Sequence, residues 1–196
     1  MTIILHELPY HDTLTYAEVD RQLVQVIPHQ IIVWVSITPR KVLTLPASVS
    51  RLPAVLDTGN SYGFAITERH LERWAGLTRQ VLEELGSVNI NRVRVPRVAA
   101  TVWLHPNKKG ERDAFRRQPP FRLDLREGIA VYPAAPDLQP SRLPVLGLRA
   151  LDEYKLRCFL YADRLRVTLR TPPTPKRPNQ AGNDQSFRPG SSAAAP

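Results

Sequence analysis

The segment Arg51-Leu52-Pro53-Ala54-Val55-Leu56-Asp57-Thr58-Gly59-Asn60-Ser61 decides how the chain is read. Pro53 to Leu56 is a short apolar run of strand type, and it delivers a carboxylate directly into a turn. Thr58 supplies a hydroxyl that can hold such a turn, and Gly59 lets the backbone fold tightly beside the acid. The same tripeptide also describes an ordinary Asx-type turn with a solvated Asp57, so its meaning depends on what surrounds it.

Working outward, the apolar residues recur at short intervals and favour β-branched types. Strands are expected at Gln30 to Ile37, Lys41 to Leu45, Ala54 to Leu56, Val88 to Val95, Val98 to Leu104, Phe121 to Leu125, Ile129 to Tyr132, Leu156 to Tyr161 and Leu165 to Leu169. One helix begins after Thr67, a suitable N-cap, with Leu71, Trp74, Ala75 and Leu77 at helical spacing and Gly76 weakening its far end. A shorter helix is expected over Leu148 to Tyr154. Trp34, Trp74 and Trp103 fall on apolar strands or on the apolar helix face and read as core. The class is mainly β with one longer and one short helix.

The chain has 196 residues, a natural length for one domain. Its last 26 residues, Thr171 to Pro196, hold six of the 19 prolines and one large apolar side chain, Phe187. Such a composition cannot offset the entropy of ordering it, so residues 171–196 are expected to be a disordered Pro-rich tail behind a domain spanning 1–170. The single Cys158 excludes an intrachain disulfide, the N-terminus lacks the pattern of a secretory signal, and the longest dense apolar run, Ile31 to Val35, is far below the roughly 20 residues of a membrane span. A cytoplasmic location without membrane contact is the resulting expectation.

Formal charge is +9, and removing the tail's three basic residues and one acid leaves +7 on the body. Much of this lies between His105 and Arg126, where Lys108, Lys109, Arg112, Arg116, Arg117, Arg122 and Arg126 meet only Glu111, Asp113 and Asp124. A solvated face explains such a run; an acidic peptide or a nucleic acid would be its binding partner otherwise, and only Phe115 and Phe121 offer stacking surfaces. His6, His11, His29, His70 and His105 show no ligand spacing, so neither a metal nor another cofactor is expected.

Two segments together resemble retroviral-type (retropepsin-like) aspartic proteases, in their single-lobed cellular or bacterial form. The first is Arg51 to Ser61. The second is Leu143-Pro144-Val145-Leu146-Gly147-Leu148-Arg149-Ala150-Leu151, similar to that family's apolar-apolar-Gly element and the helix after it. The resemblance implies a closed β-barrel or sandwich of the acid protease fold. It implies Asp57 as the catalytic residue, with Thr58 and Gly59 supporting the active-site turn.

With one Asp-Thr-Gly per chain, it further implies a homodimer in which two Asp57 carboxylates share a proton and activate a water for endopeptidase hydrolysis of a peptide or protein. The alternatives are a non-catalytic peptide- or protein-binding module on that fold, and a basic β protein associated with nucleic acid. The flap that would close over substrate has two candidates, Gly86 to Val93 and His105 to Arg112, of which the second has the stronger turn residues. Asn60, following the triplet, departs from the Ala common in the family.

Overall fold

In chain order the elements are β1 (Ile3–Pro9), β2 (Thr15–Val19), β3 (Gln22–Val26), β4 (Ile32–Pro39), β5 (Leu52–Asp57), β6 (Phe64–Thr67), α1 (Glu68–Ala75), β7 (Glu84–Ile90), β8 (Val93–Val98), β9 (Ala100–Leu104), β10 (Phe121–Asp124), β11 (Ile129–Tyr132), β12 (Val145–Gly147), α2 (Leu148–Glu153), β13 (Arg157–Tyr161) and β14 (Arg166–Arg170). These belong to a computed structural model that describes residues 1–60, 62–90, 92–133 and 143–173. Ser61 and residues 174–196, most of the expected disordered tail, lie outside the described residues.

Nine strands form a mixed sheet in the order β10-β9-β4-β5-β12-β6-β11-β8-β7. β4 is buried from Ile32 to Thr38 and β9 along its whole length, as their mostly apolar runs, interrupted by Ser36, Thr38 and Thr101, suit strands covered on both faces. A second sheet, β1-β14-β13, adds Ile4, Leu5, Leu8, Val167 and Leu169 to the same core as Val33, Val35 and Leu104. β2 and β3 make a separate two-stranded ribbon.

The expectation of a closed acid-protease barrel is overturned: among the described residues β10 has only β9 as neighbour and β7 only β8, so the large sheet is open at both ends. Closure is blocked physically at each. Beyond β10, the Tyr154 hydroxyl accepts the Asp124 N–H and Glu153 accepts the Arg126 N–H at 3.0 Å, so side chains at and just after the end of α2 stand where a further strand would pair. At β7 the register slips between Glu84 and Ser87, with Gly86 at φ 97°, a bulge that breaks a straight pairing edge.

Local readings fare better. Thr67 caps α1, its hydroxyl accepting the His70 N–H at 3.1 Å, and Gly76 ends the helix at φ 65°. Leu148 to Tyr154 contains α2. Lys41 to Leu45 is not a strand, because Pro39 closes a turn onto the Val42 N–H and Leu43 is left exposed. Val88 to Val95 is a hairpin, β7 to β8, turned at Arg92 with φ 67°. Among the described residues no helix is long and apolar enough to cross a membrane.

Two junctions hold the core. β12 runs parallel to β5 and antiparallel to β6, placing Gly147 opposite Asp57. A Cβ on Gly147 would stand 1.9 Å from the Tyr62 carbonyl oxygen and 2.8 Å from that of Asn60. The second junction is a buried polar pair. Ser36 Oγ donates to the Ser50 carbonyl at 2.8 Å and lies 2.8 Å from His105 Nε2, so with its one proton spent it can only accept from the imidazole. Burial first, and Arg51 second, lower the His105 pKa to about 4.

Each junction gives a prediction. Gly147→Ala should destabilise the fold by roughly 2–4 kcal/mol in a denaturant titration, since backbone rather than a yielding side chain opposes the new methyl. For His105 the unfolded chain binds the proton more readily than the folded one. Its contribution to stability is therefore complete above the ordinary value of 6.5 and is lost as pH falls from there toward about 4. His105→Gln keeps a donor for Ser36 and does not titrate, so its unfolding midpoint should decline less steeply than the wild type's across that interval.

Candidate interaction site

β5 carries Asp57 out of the core, and the chain then folds into two successive Asx turns. The Gly59 N–H donates to Asp57 Oδ1 at 2.8 Å, and the Tyr62 N–H donates to Asn60 Oδ1 at 2.9 Å. Gly59 is placed so that a Cβ would sit 3.3 Å from that same Asp57 oxygen. Asp57 and Thr58 are exposed. Among the described residues no second carboxylate meets Asp57, whose hydrogen bond comes from its own turn.

Among the described residues no catalytic dyad forms within the chain, and with no closed barrel to frame a pair of Asp57 carboxylates from two chains, the assignment as an aspartic endopeptidase is withdrawn. What the structure brings together is Asp57, Thr58 and Gly59 as a self-bonded turn beside Gly147. The alternative of a non-catalytic module on that fold loses the same footing. No group of three or more His, Cys, Asp or Glu side chains able to hold a metal occurs among the described residues.

The basic stretch is neither a free loop nor a flap. Asn107, buried, accepts the His6 N–H at 2.8 Å and donates to the His6 and Glu111 carbonyls, both at 3.0 Å. Lys109 meets Glu7 at 3.3 Å, Arg112 reaches Thr15 and the Tyr16 carbonyl, Arg116 approaches His6 Nδ1 at 2.6 Å, and Arg122 meets Asp124 at 2.9 Å. Lys109, Arg112, Arg116 and Arg122 thus make contacts within the molecule, to β1, β2 and β10, while Lys108, Lys109, Arg117 and Arg126 remain exposed to solvent. The other flap candidate, Gly86 to Val93, is the β7–β8 hairpin at a sheet end.

The sheet ends are unequal, and this the sequence reading missed. An uncovered strand edge invites pairing with another chain, and proteins blunt such edges with bulges, charges or covering loops. β10 is capped by Tyr154 and Glu153, β7 is bulged and carries exposed Glu84 and Asn89, and β1 is covered by the Asn107 loop. Among the described residues β13 has neither bulge nor covering loop, and its one charge, Arg157, stands at its first position.

Every residue of β13, Arg157-Cys158-Phe159-Leu160-Tyr161, is exposed, whereas Val167, Thr168 and Leu169 on the neighbouring β14 are buried. Leu160 is 58% exposed, so burial stops abruptly between adjacent strands. Because side chains alternate, Cys158 and Leu160 present one apolar face and Phe159 and Tyr161 the other. The signal was present as an apolar run without proline, Cys158 to Tyr161; which side of it would stay uncovered depends on the partner strand.

No family model, no curated protein and no solved structure matches the chain. The likeness to retroviral-type proteases is therefore confined to the short segments around Asp57 and Gly147, and the chain is not assigned to that family.

Proposed function

We propose that the protein is an interaction module that assembles through β13 with a second copy of itself. The observation that carries this reading is the fully exposed edge of β13, apolar from Cys158 to Tyr161 and, among the described residues, neither bulged nor covered, beside three blunted ones. A twofold antiparallel pairing centred on Phe159 sets Arg157 of one chain opposite Tyr161 of the other and Cys158 opposite Leu160. It extends the three-stranded sheet to six strands.

A copy of β13 brings apolar groups to both faces at once, which is what a strand exposed on both faces needs. The ends are complementary too: the Lys155 end of each strand meets the Asp163 end of the other. The Asp57 turns play no part in this interface.

Sedimentation of the full chain over a range of concentrations should show a monomer–dimer equilibrium. Phe159→Lys with Leu160→Glu should give a monomer with an unfolding midpoint close to wild type, since both positions are exposed. Asp57→Asn should leave the dimer intact. In the Leu160→Cys variant, mild oxidation should link two chains through Cys158 and the introduced thiol. A wild type that stays monomeric, or a dimer indifferent to the β13 changes, overturns the reading.

A further inference from the structure

We propose that the cleft between β3 and α1 binds an extended acidic peptide segment. This surface is separate from β13. Among the described residues β3 has a single neighbour, β2, and α1 forms the opposite wall of a cleft of about 290 Å³ lined by Leu23, Val24 and Gln25 from the strand and Arg69, Arg73 and Trp74 from the helix. Arg69 and Arg73 are four residues apart and share a helix face. Arg73 meets Asp20 at 3.5 Å across an exposed surface, and Arg69 has no acidic partner among the described residues.

A second, independent observation points to a ligand. Three tryptophans are buried, and two of them donate their indole N–H: Trp34 to Asp113 at 3.0 Å and Trp103 to Thr38 at 2.8 Å. Trp74, only 5% exposed, has no acceptor for its Nε1–H. A buried donor left unmade is costly, and the residue that carries it lines the open cleft. The His70 ring stacks on the same indole at 3.9 Å and fixes its plane.

The donors are an indole and two guanidinium groups, and they call for carbonyl and carboxylate acceptors. A strand with one side unpaired offers alternating N–H and C=O groups, which only another peptide backbone can match on both counts. A nucleic acid would satisfy the arginines, yet its phosphates carry no N–H for the carbonyls of β3. Leu23, 70% exposed, and Val24 provide the apolar contact for alternate side chains of the incoming segment.

The test uses an acetylated peptide of alternating valine and glutamate, titrated into the full chain by calorimetry, with the valine–lysine counterpart as control. The glutamate peptide should bind and the lysine peptide should not. Arg69→Glu with Arg73→Glu should weaken binding at least about tenfold, the loss expected on removing charge-assisted hydrogen bonds. Trp74→Phe, which keeps an aromatic ring but removes the donor with the indole's five-membered ring, should weaken it several-fold while the unfolding midpoint shows that the fold survives.

The monomeric Phe159→Lys and Leu160→Glu variant should bind as wild type does, so failure at one surface is told apart from failure at the other. Binding of both peptides alike, no binding of the glutamate peptide, indifference to the arginine changes, or displacement by a single-stranded oligonucleotide overturns the proposal.

Discussion

Three residues, Val145 to Gly147, join the two halves of the large sheet. Without β12, the strands β10-β9-β4-β5 and β6-β11-β8-β7 would share no hydrogen-bonded neighbour. Insertion requires β12 to pass so close to the loop after Asp57 that only hydrogen is tolerated at Gly147. The Asx turns at Asp57 and Asn60 shape that loop from the other side. The Asp-Thr-Gly segment thus earns its place mechanically: it terminates a central strand and makes room for the strand that completes the sheet.

The remaining architecture is largely a matter of which strand edges are covered. Side chains at and just after the end of α2 cap β10, the Asn107 loop seals β1, and a bulge disrupts β7. Each device uses polar groups to satisfy or disorder a backbone that would otherwise be free to pair. The basic stretch, which by composition alone suggests an external partner, commits Lys109, Arg112, Arg116 and Arg122 to internal ties and leaves Lys108 and Arg117 exposed. Charge counted along a sequence and charge available to solvent are different quantities, and Arg112 and Arg116 show the difference most plainly.

Legibility followed the range of the interactions. The α1 cap at Thr67, the Gly76 stop, α2 and the buried strands β4, β9 and β11 were readable because neighbouring residues determine them. β6 was missed, being four residues that run directly into a helix, and so was β1, whose bulges at Ile3 to Leu8 break its alternation. Whether the sheet closes was beyond local reading, since it depends on Tyr154 meeting a backbone group 30 residues away. The turn at Asp57 was recognised as a turn, but its chemistry was overread: one carboxylate bonded within its own loop does not imply another facing it.

The placement of β1 bears on how the molecule is made. Its partner is β14, with Ile3 opposite Arg170, and Thr2 and Thr171 exchange hydrogen bonds just beyond. Contacts across so much chain make folding slow, because loop-closure entropy is spent before the contact forms. During synthesis the first strand must wait for nearly the whole body to emerge. Asn107 offers it an earlier hold, binding His6 on the edge that β14 will not use, and can keep β1 from straying to another strand in the interval.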